Sequence, residues 1–538
     1  MCHKCGLEQI KLNPKPINIT TINTKRNLIG NKINSQTYSP IKIGYDFSNL
    51  KKPNAMSDSS FTNMKSILKE TREEFSKFLQ VVHRNFNISH LKDEIIKVCG
   101  LNSIGKDYSN FLIENDLIIF PMFKDLGRET LAAAGPCLIG DKTYRPHGGI
   151  LYINSNIKLD ITNTKIYMKN IFLHEITHIL IFHPYFFENL GLTKTEGSIN
   201  YISSPKVLEK ARKHFNCSSL QGVPLENQGE EGSIGSHWES RYMLGDYMIS
   251  TNYPDVAISD ITLALFEDSG FYKVNYYSGG LFKFGKNKGC DFFDTKCIVN
   301  GKAAFNEFCD IKNEQKCSSS RTLKSSCYIN NYPKDIEKKE YQYFSNPKQG
   351  GFYSANYCPV PYELYNSNNY YPNHCQLGTS TLPKDYGETI GENSFCFMSS
   401  LLPESSSNEI SQMAICYEIE CDTRNSNIVV KLGNENIICP TEGGVINNIS
   451  GFKGSIECPK YSDMCNAKDN IVCNDIYSCF NKLAKKDNYE YRISYNDYEE
   501  KNIEENIDEY IKPITVNESS IIITNLFVLV FWLFILIN

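Results

Sequence analysis

The residues with the clearest chemistry are His174, Glu175 and His178, in the order His-Glu-Ile-Thr-His. Residues four apart lie on one face of an α-helix, so both imidazoles could bind one zinc ion while the glutamate faces the metal's water. Zinc lowers the pKa of such a water to roughly 7, and a carboxylate beside it can take the proton. The stretch predicts metal-assisted hydrolysis with Glu175 as general base. The alternative is an amphipathic helix with two incidental histidines.

This chemistry requires a helix, and the flanking residues predict one. Apolar side chains recur at helical spacing from Ile166 to Leu180. Pro184 is expected to end the helix a turn after the second histidine.

Zinc also needs a third protein ligand. His183 is close in sequence, but on a helix its side chain would point away from the face shared by His174 and His178. The other candidate is His237, in the segment Ser-His-Trp-Glu, which is followed by Met248 in Asp-Tyr-Met.

The split signature, with His237 and Met248 far beyond the helix, resembles leishmanolysin, a metzincin family with a long insertion before the third histidine. Similarity to the family covers most of residues 40–470. It implies a zinc endopeptidase with one Zn²⁺ per chain, bound by His174, His178 and His237 above Met248, and with protein or peptide substrates. The matching segments are 134–137, 145–150, 204–208, 214–217, 222–227, 258–265, 267–270 and 289–292.

The resemblance implies an α+β fold. A metzincin-type catalytic domain, made of a twisted mixed sheet and the active-site helix, is split by an insertion and followed by a disulfide-rich domain of strands and loops. The predicted divisions are a propeptide remnant (1–40), an N-terminal catalytic subdomain (41–184), a central subdomain (185–295), a Cys-rich domain (296–480), an acidic stalk (481–516) and a hydrophobic anchor signal (517–538).

Local patterns predict three further elements. Residues 40–46 alternate in polarity as a strand does, and residues 66–98 carry a helical apolar stripe. Residues 149–154 predict another strand, placed at a sheet edge where a peptide substrate could add.

Ile181 departs from the family, which has glycine three residues after the second histidine, where the chain turns sharply. A β-branched residue is strained at positive φ. We therefore expect the backbone at Ile181 to stay nearly helical, with the sharp exit at His183 and Pro184. The departure favours an alternative function, a catalytically impaired surface adhesion or binding protein, whereas the intact Glu175 favours an enzyme.

Twenty cysteines, fifteen of them between Cys290 and Cys479, predict disulfides formed in an oxidising compartment. Zinc knuckles are the weaker interpretation, because pairs such as Cys416 and Cys421 lack the C-x-x-C spacing and partnering histidines. A net charge of −5 gives no basic field, so nucleic acid is not an expected partner.

The N-terminus predicts latency rather than export. Residues 1–6 contain no apolar signal region, so the sequence is expected to be truncated or to begin inside a propeptide. His3-Lys4-Cys5 resembles the family's propeptide motif, which implies that the Cys5 thiolate blocks the open zinc position. The alternative is a Cys2–Cys5 surface pair.

The C-terminus predicts a membrane anchor. Residues 521–537 are apolar apart from Thr524 and Asn525, and no basic residue follows them. That pattern, like the family resemblance, favours a glycosylphosphatidylinositol (GPI) signal over a spanning helix. The expected location is the extracellular face of the plasma membrane. Glycosylation sequons fit this route and lie at Asn18, Asn87, Asn216, Asn448 and Asn517.

Overall fold

The computed structural model describes residues 37–465 except 84–85, 88–90, 106–114, 129, 141–142, 157–164, 230–231, 252, 255, 277–281, 363–372, 381 and 410. It also describes residues 14–17, 20–21 and 497. All of these belong to one unit, Met1–Tyr498, whereas the second unit, Glu499–Asn538, lies outside the described residues. Cys5 and the predicted anchor 517–538 also fall outside them.

A mixed five-stranded sheet forms the base of the molecule. Its order is Lys15–Ile17, Ala132–Gly140, Pro146–Asn154, Leu117–Lys124 and Ile43–Tyr45. Ala132–Gly140 runs antiparallel to Pro146–Asn154, and the other neighbours are parallel. The predicted strand at 149–154 exists, but its placement at an edge is wrong, because Pro146–Asn154 pairs on both sides.

Two helices pack together and against this base. Asp58–Phe78 begins at Ser57, whose hydroxyl accepts a hydrogen bond from the Ser60 amide. Lys165–Leu180 carries the His-Glu-x-x-His motif, and its Lys169 ammonium lies 2.6 Å from Glu74 of the first helix. The single helix predicted over 66–98 is wrong: the chain continues as strand Leu79–Val82 and helix Lys92–Cys99.

The remaining helices are short. The α-helices are Pro184–Asn189, Pro205–Phe215, Ser240–Met243, Asp260–Asp268, Asp291–Asp294 and Tyr461–Met464. The 3₁₀ helices are Phe47–Asn49, Lys339–Tyr341, Tyr353–Ala355 and Lys384–Tyr386. Among the described residues, no helix has the length and apolar character that a membrane crossing requires.

Small sheets connect the helices. Thr193–Glu196, Ile199–Ile202 and Val223–Pro224 form one sheet. Lys273–Val274, Leu79–Val82 and Tyr38–Pro40 form a second, and Thr20–Thr21 pairs with Phe86–Asn87. The strand predicted over 40–46 is thus two short strands in different sheets, Tyr38–Pro40 and Ile43–Tyr45.

The C-terminal part consists mainly of strands and loops. An antiparallel six-stranded sheet has the order Glu435–Cys439, Asn427–Leu432, Met413–Asp422, Ser394–Ser399, Ser455–Cys458 and Gly444–Asn447. Gln315–Cys317, Lys324–Tyr328 and Val360–Tyr362 form another sheet. Two-stranded pairs are Ile298–Val299 with Lys302–Ala303, Asn330–Asn331 with Gln349–Gly350, and Leu402–Pro403 with Phe452–Lys453.

Eight disulfides cross-link the described residues, which confirms the prediction of disulfide bonding. Short strands bury little apolar surface, and cross-links stabilise such regions mainly by restricting the unfolded chain. The pairs are Cys99–Cys137, Cys217–Cys290, Cys297–Cys358, Cys309–Cys327, Cys317–Cys396, Cys375–Cys416, Cys421–Cys465 and Cys439–Cys458.

Asp497, from the predicted acidic stalk, contacts the N-terminal part of the fold. Its carboxylate accepts a hydrogen bond from the Tyr45 amide at 3.0 Å and forms an ion pair with Arg72. At this residue the chain is therefore held against the helix Asp58–Phe78 rather than surrounded by solvent.

Candidate metal centre

Three histidines from two distant segments converge on one point. His174 and His178 lie one turn apart on the helix Lys165–Leu180. His237 comes from an irregular segment, where the next residue, Trp238, bridges to Leu225 and Ile249. One nitrogen of each histidine lies within 4.8 Å of the others, and among the described residues these three form the only such group that could hold a metal ion.

The Nδ1 atom of each ring is held by a backbone carbonyl. His174 Nδ1 lies 2.6 Å from the Tyr247 oxygen, and His178 Nδ1 lies 2.6 Å from the Phe182 oxygen. His237 Nδ1 lies 3.1 Å from the Ser233 carbonyl oxygen and 2.9 Å from the Ser236 hydroxyl oxygen. The Ser236 hydroxyl donates its own proton to the Gly232 carbonyl at 2.7 Å, so it can accept from His237. A carbonyl can only accept, so each Nδ1 carries the proton and each neutral ring keeps its lone pair on Nε2.

The Nε2 atoms face one another at distances that suit a shared metal. His174 Nε2 lies 3.0 Å from His178 Nε2 and 3.3 Å from His237 Nε2. Tetrahedral zinc with Zn–N bonds of about 2.0–2.1 Å would place its ligands roughly 3.3–3.4 Å apart. Facing lone pairs repel unless a cation lies between them, so the donor set fits a zinc ion.

Burial keeps the three rings neutral. Desolvation lowers the pKa of His174 to about 4 and that of His237 to about 3. It also lowers the pKa of His178 well below its usual value, with a further contribution from the two neighbouring histidines. Neutral imidazole is the form that binds a metal, so near neutral pH these rings need lose no proton to do so.

Glu175 follows the first ligand on the same helix. Its side chain is only 2% exposed, although the residue is charged when ionised. Carboxylates are rarely buried this deeply, so Glu175, adjacent in sequence to His174, is a candidate functional residue.

The segment Asp246–Met248 lies against the histidines. The Tyr247 carbonyl accepts from His174 Nδ1, and the Tyr247 hydroxyl lies 3.0 Å from Thr177 Oγ1 on the helix. Met248 is fully buried, and its carbonyl accepts a hydrogen bond from the Trp238 amide at 3.0 Å. The methionine selected from sequence is therefore connected to both ligand-bearing segments through its neighbours.

Comparison with known proteins decides the family. A model of the leishmanolysin family, peptidase family M8, matches residues 58–472. This chain belongs to the leishmanolysin family. Its mixed α and β structure with eight described disulfides fits a leishmanolysin-type domain.

Individual relatives agree with the family match. The chain is 29% identical over 394 residues to a leishmanolysin homolog of Crithidia fasciculata, covering 68% of this chain and 58% of that protein. It is 30% identical over 318 residues to a leishmanolysin-like peptidase of Caenorhabditis briggsae, covering 52% and 47% respectively. It is 26% identical over 317 residues to leishmanolysin of Leishmania tropica, covering 54% and 46%. The chain thus spans about half the length of these relatives.

The exit from the helix confirms the expectation for Ile181, whose backbone stays nearly helical before the extended His183, but corrects the expectation for Pro184. The helix ends at Leu180, and the amides of Ile181 and Phe182 both donate to the Thr177 carbonyl at 2.9 Å. Pro184 does not end this helix but opens the next one, where its missing amide proton costs nothing. Ile181 is not among the described non-glycine residues with positive φ, so this leishmanolysin-family chain makes the exit without the left-handed glycine turn.

Gly149 allows the strand Pro146–Asn154 to pack closely against the helix Lys165–Leu180. A Cβ atom built on Gly149 would lie 2.3 Å from Ile179 Cγ2, one residue after the second ligand. A side chain at this position would overlap Ile179, so the isoleucine or the backbone around it would have to shift. The family resemblance includes the segment 145–150, and the close contact with Ile179 explains why a glycine occupies residue 149.

A buried pair of acids behind His237 was missed from sequence. The Glu226 amide donates to the His237 carbonyl at 2.9 Å, and the Glu239 amide donates to the Pro224 carbonyl at 3.1 Å. Burial raises the pKa of Glu239 to about 8 and that of Glu226 well above its usual value. Glu226 and Glu239 lie in or beside segments that match the family. That resemblance is the one feature of the sequence that could have identified them.

The other sequence candidates lie away from this cluster or outside the described residues. His183 caps the helix Pro184–Asn189, with its Nδ1 accepting from the Tyr185 amide at 3.1 Å. Two further histidines also bond elsewhere: His214 Nε2 lies 2.9 Å from the Phe284 carbonyl oxygen, and His83 Nδ1 lies 2.6 Å from Asp116 Oδ2. Cys5, the candidate latency residue, is not among the described residues.

Proposed function

We propose that this chain is a zinc-dependent endopeptidase that hydrolyses protein or peptide substrates at the cell surface. The observation that carries the proposal is the convergence of three Nε2 lone pairs, each fixed by a carbonyl on the opposite side of its ring. Family membership supports metallopeptidase chemistry, and the buried Glu175 supports turnover rather than a binding role alone.

Each residue of the proposed active site has a separate role. His174, His178 and His237 would hold the metal, which when bound supplies Lewis-acid chemistry for activating water and the scissile carbonyl. Glu175 takes the proton of the attacking water and passes it to the nitrogen of the leaving amine. The Tyr247 carbonyl orients the His174 ring, and the Met248 carbonyl holds the Trp238 amide next to His237.

An extended substrate would lie along the strand Ala132–Gly140. Strand addition needs an edge with unpaired backbone groups. Among the described strands, 132–137 pair on one side only, with Pro146–Asn154, whereas Leu138–Gly140 also pair with Lys15–Ile17. The N-terminal segment would therefore occupy part of the edge that a substrate needs.

Disulfide bonding supports the proposed location at the cell surface. Eight disulfides among the described residues support an oxidising, extracellular environment. The hydrophobic segment 517–538 lies outside the described residues, and we propose that it directs attachment to a GPI anchor.

Metal content and cleavage of denatured casein test the function together. The activated chain should hold one zinc ion and cleave casein, and a chelator should abolish cleavage. Glu175→Gln keeps the shape of the side chain but not the base, so it should bind zinc normally and lose activity by a factor of at least ~100. Zinc binding without cleavage by the unaltered chain would instead support the alternative, a surface adhesion or binding protein on this scaffold.

A further inference from the structure

Asp246 sits at the centre of a buried hydrogen-bond relay beside the metal centre. Its carboxylate is fully buried. Oδ1 accepts from the Met248 amide at 2.8 Å, while Oδ2 accepts from the Ser259 amide at 3.2 Å and from the Thr262 hydroxyl at 2.8 Å.

Thr262 extends the relay to the segment of the third ligand. The Trp238 Nε1–H donates to Thr262 Oγ1 at 2.7 Å. Indole nitrogen can only donate, so the threonine oxygen must accept this bond and give its own proton to Asp246. The direction of both bonds is therefore fixed, and Trp238 directly follows His237 in the chain.

The other end of the relay reaches the first ligand. The turn that Asp246 holds presents the Tyr247 carbonyl to His174 Nδ1 at 2.6 Å. Movement of this turn would lengthen that bond and release the ring from its orientation. One carboxylate thus connects the turn that orients His174 to the segment that carries His237.

We propose that Asp246 is a positioning residue that fixes His174 and His237 relative to each other and so sets the metal affinity of the site. The inference rests on the proposed function, because it assumes that the three histidines bind a metal. It assigns Asp246 no contact with the metal or the substrate.

The relay requires a carboxylate. Each Asp246 oxygen accepts from a backbone amide, and a backbone amide cannot reverse its role. In Asp246→Asn, whichever way the amide group turned, its NH₂ would face one of these donors and leave it buried without an acceptor. Partners that orient metal-binding histidines typically contribute about 10–100-fold to metal affinity.

The test uses the full chain and four variants. Asp246→Asn breaks the relay at the carboxylate, and Thr262→Val breaks it at the hydroxyl with little change of shape. Thr262→Ser keeps the hydroxyl. Thr71→Val is the matched control, because Thr71 is a buried threonine whose hydroxyl donates to the Ile67 carbonyl of its own helix and is not part of the relay. Zinc affinity is measured by competition with a chelator, and the visible absorption of the Co²⁺-loaded chain reports ligand geometry.

The expected result is a loss of zinc affinity of about 10–100-fold in Asp246→Asn, with a changed cobalt spectrum. Thr262→Val should show a smaller loss and the same spectral change, whereas Thr262→Ser and Thr71→Val should match the unaltered chain. A purely structural role would lower the melting temperature without changing the cobalt spectrum of the folded protein.

Wild-type affinity and spectrum in both Asp246→Asn and Thr262→Val would overturn the inference. If Asp246→Asn does not fold, Thr262→Val alone decides between the two results. Failure of the unaltered chain to bind zinc or cobalt would overturn the proposed function as well, so the two failures are distinguishable.

Discussion

Gly149 and Ile179 approach so closely that a single methyl group on the glycine would overlap the isoleucine side chain. A Cβ at Gly149 would lie 2.3 Å from Ile179 Cγ2, well inside contact distance. Ile179 follows His178 directly. The distance between the sheet and the helix at this point therefore also sets the distance of His178 from the sheet.

Gly149→Ala is therefore expected to destabilise the protein by about 1–3 kcal/mol, the usual cost of overfilling a packed interior. It should also weaken metal binding, because the isoleucine or the backbone around it must shift. Urea unfolding and zinc affinity are the measurements. Gly391→Ala is the control, since its nearest neighbour is Ser394 Oγ at 4.0 Å and its φ is ordinary; that variant should change stability by less than about 0.5 kcal/mol. Equal stability of the two variants would contradict the close packing.

Zinc binding should release few protons at mildly acidic pH. Burial lowers the pKa of His174 to about 4 and that of His237 to about 3, and it holds the pKa of His178 well below the usual value. At about pH 6 the rings are then neutral before the metal arrives, whereas three ordinary histidines would release about two protons. Calorimetric titration in two buffers of different ionisation enthalpy counts the protons. Release of two or more would mean that the metal-free site is open to water.

Restoring the family glycine at residue 181 should not improve the enzyme. Ile181 is fully buried and its amide continues the helical hydrogen bonding. Ile181→Gly removes the whole side chain and should cost about 3–5 kcal/mol or more through the cavity and the added freedom of the unfolded chain. Casein cleavage by the folded fraction should stay within about twofold of the unaltered chain. A large gain in activity would show instead that isoleucine impairs the site.

The N-terminal segment is predicted to keep the chain latent. Cys5→Ser removes the thiolate proposed to block the metal, so the unprocessed variant should cleave a peptide that the unaltered proform does not. Cys2→Ser is the matched control and should stay latent. Removal of residues 1–36 should also free the strand edge held by Lys15–Ile17 and lower KM for extended peptides. Latency that survives Cys5→Ser would leave the strand contact as the inhibitory element.

Attachment to the membrane is predicted to be through lipid. A phosphatidylinositol-specific phospholipase applied to intact cells should release the protein, and the released form should lack the hydrophobic tail 517–538. Retention on the membrane, with the tail still detectable by mass spectrometry, would favour a spanning helix.

The sequence predicted which three histidines converge more accurately than it predicted the strands and helices around them. The spacing of His174 and His178 alone gives a shared helical face, but no local pattern marks His237, which needed the family resemblance. Apart from the Ser236 hydroxyl beside His237, the acceptors that fix the three rings are the backbone carbonyls of Phe182, Ser233 and Tyr247. Every residue has such a carbonyl, so residue type carries no signal for them.

The errors in the predicted fold have similar causes. Alternation marked residues 149–154 as a strand, but its interior position depends on partners from two other segments, Leu117–Lys124 and Ala132–Gly140. Pro184 was taken as the end of one helix, although the same ring is equally suited to begin another. In both cases the sequence gives the local conformation, and distant contacts decide how it is used.

The overlapping disulfides have a consequence for the proposed protease if one copy cleaves another. The bridges Cys297–Cys358, Cys317–Cys396 and Cys375–Cys416 overlap in sequence, so a single backbone cut anywhere from Cys297 to Cys416 leaves both pieces joined. A nicked molecule would run as one band on a non-reducing gel and as two after reduction. Nicks from self-cleavage in this region would therefore accumulate in a molecule over time without releasing any part of it.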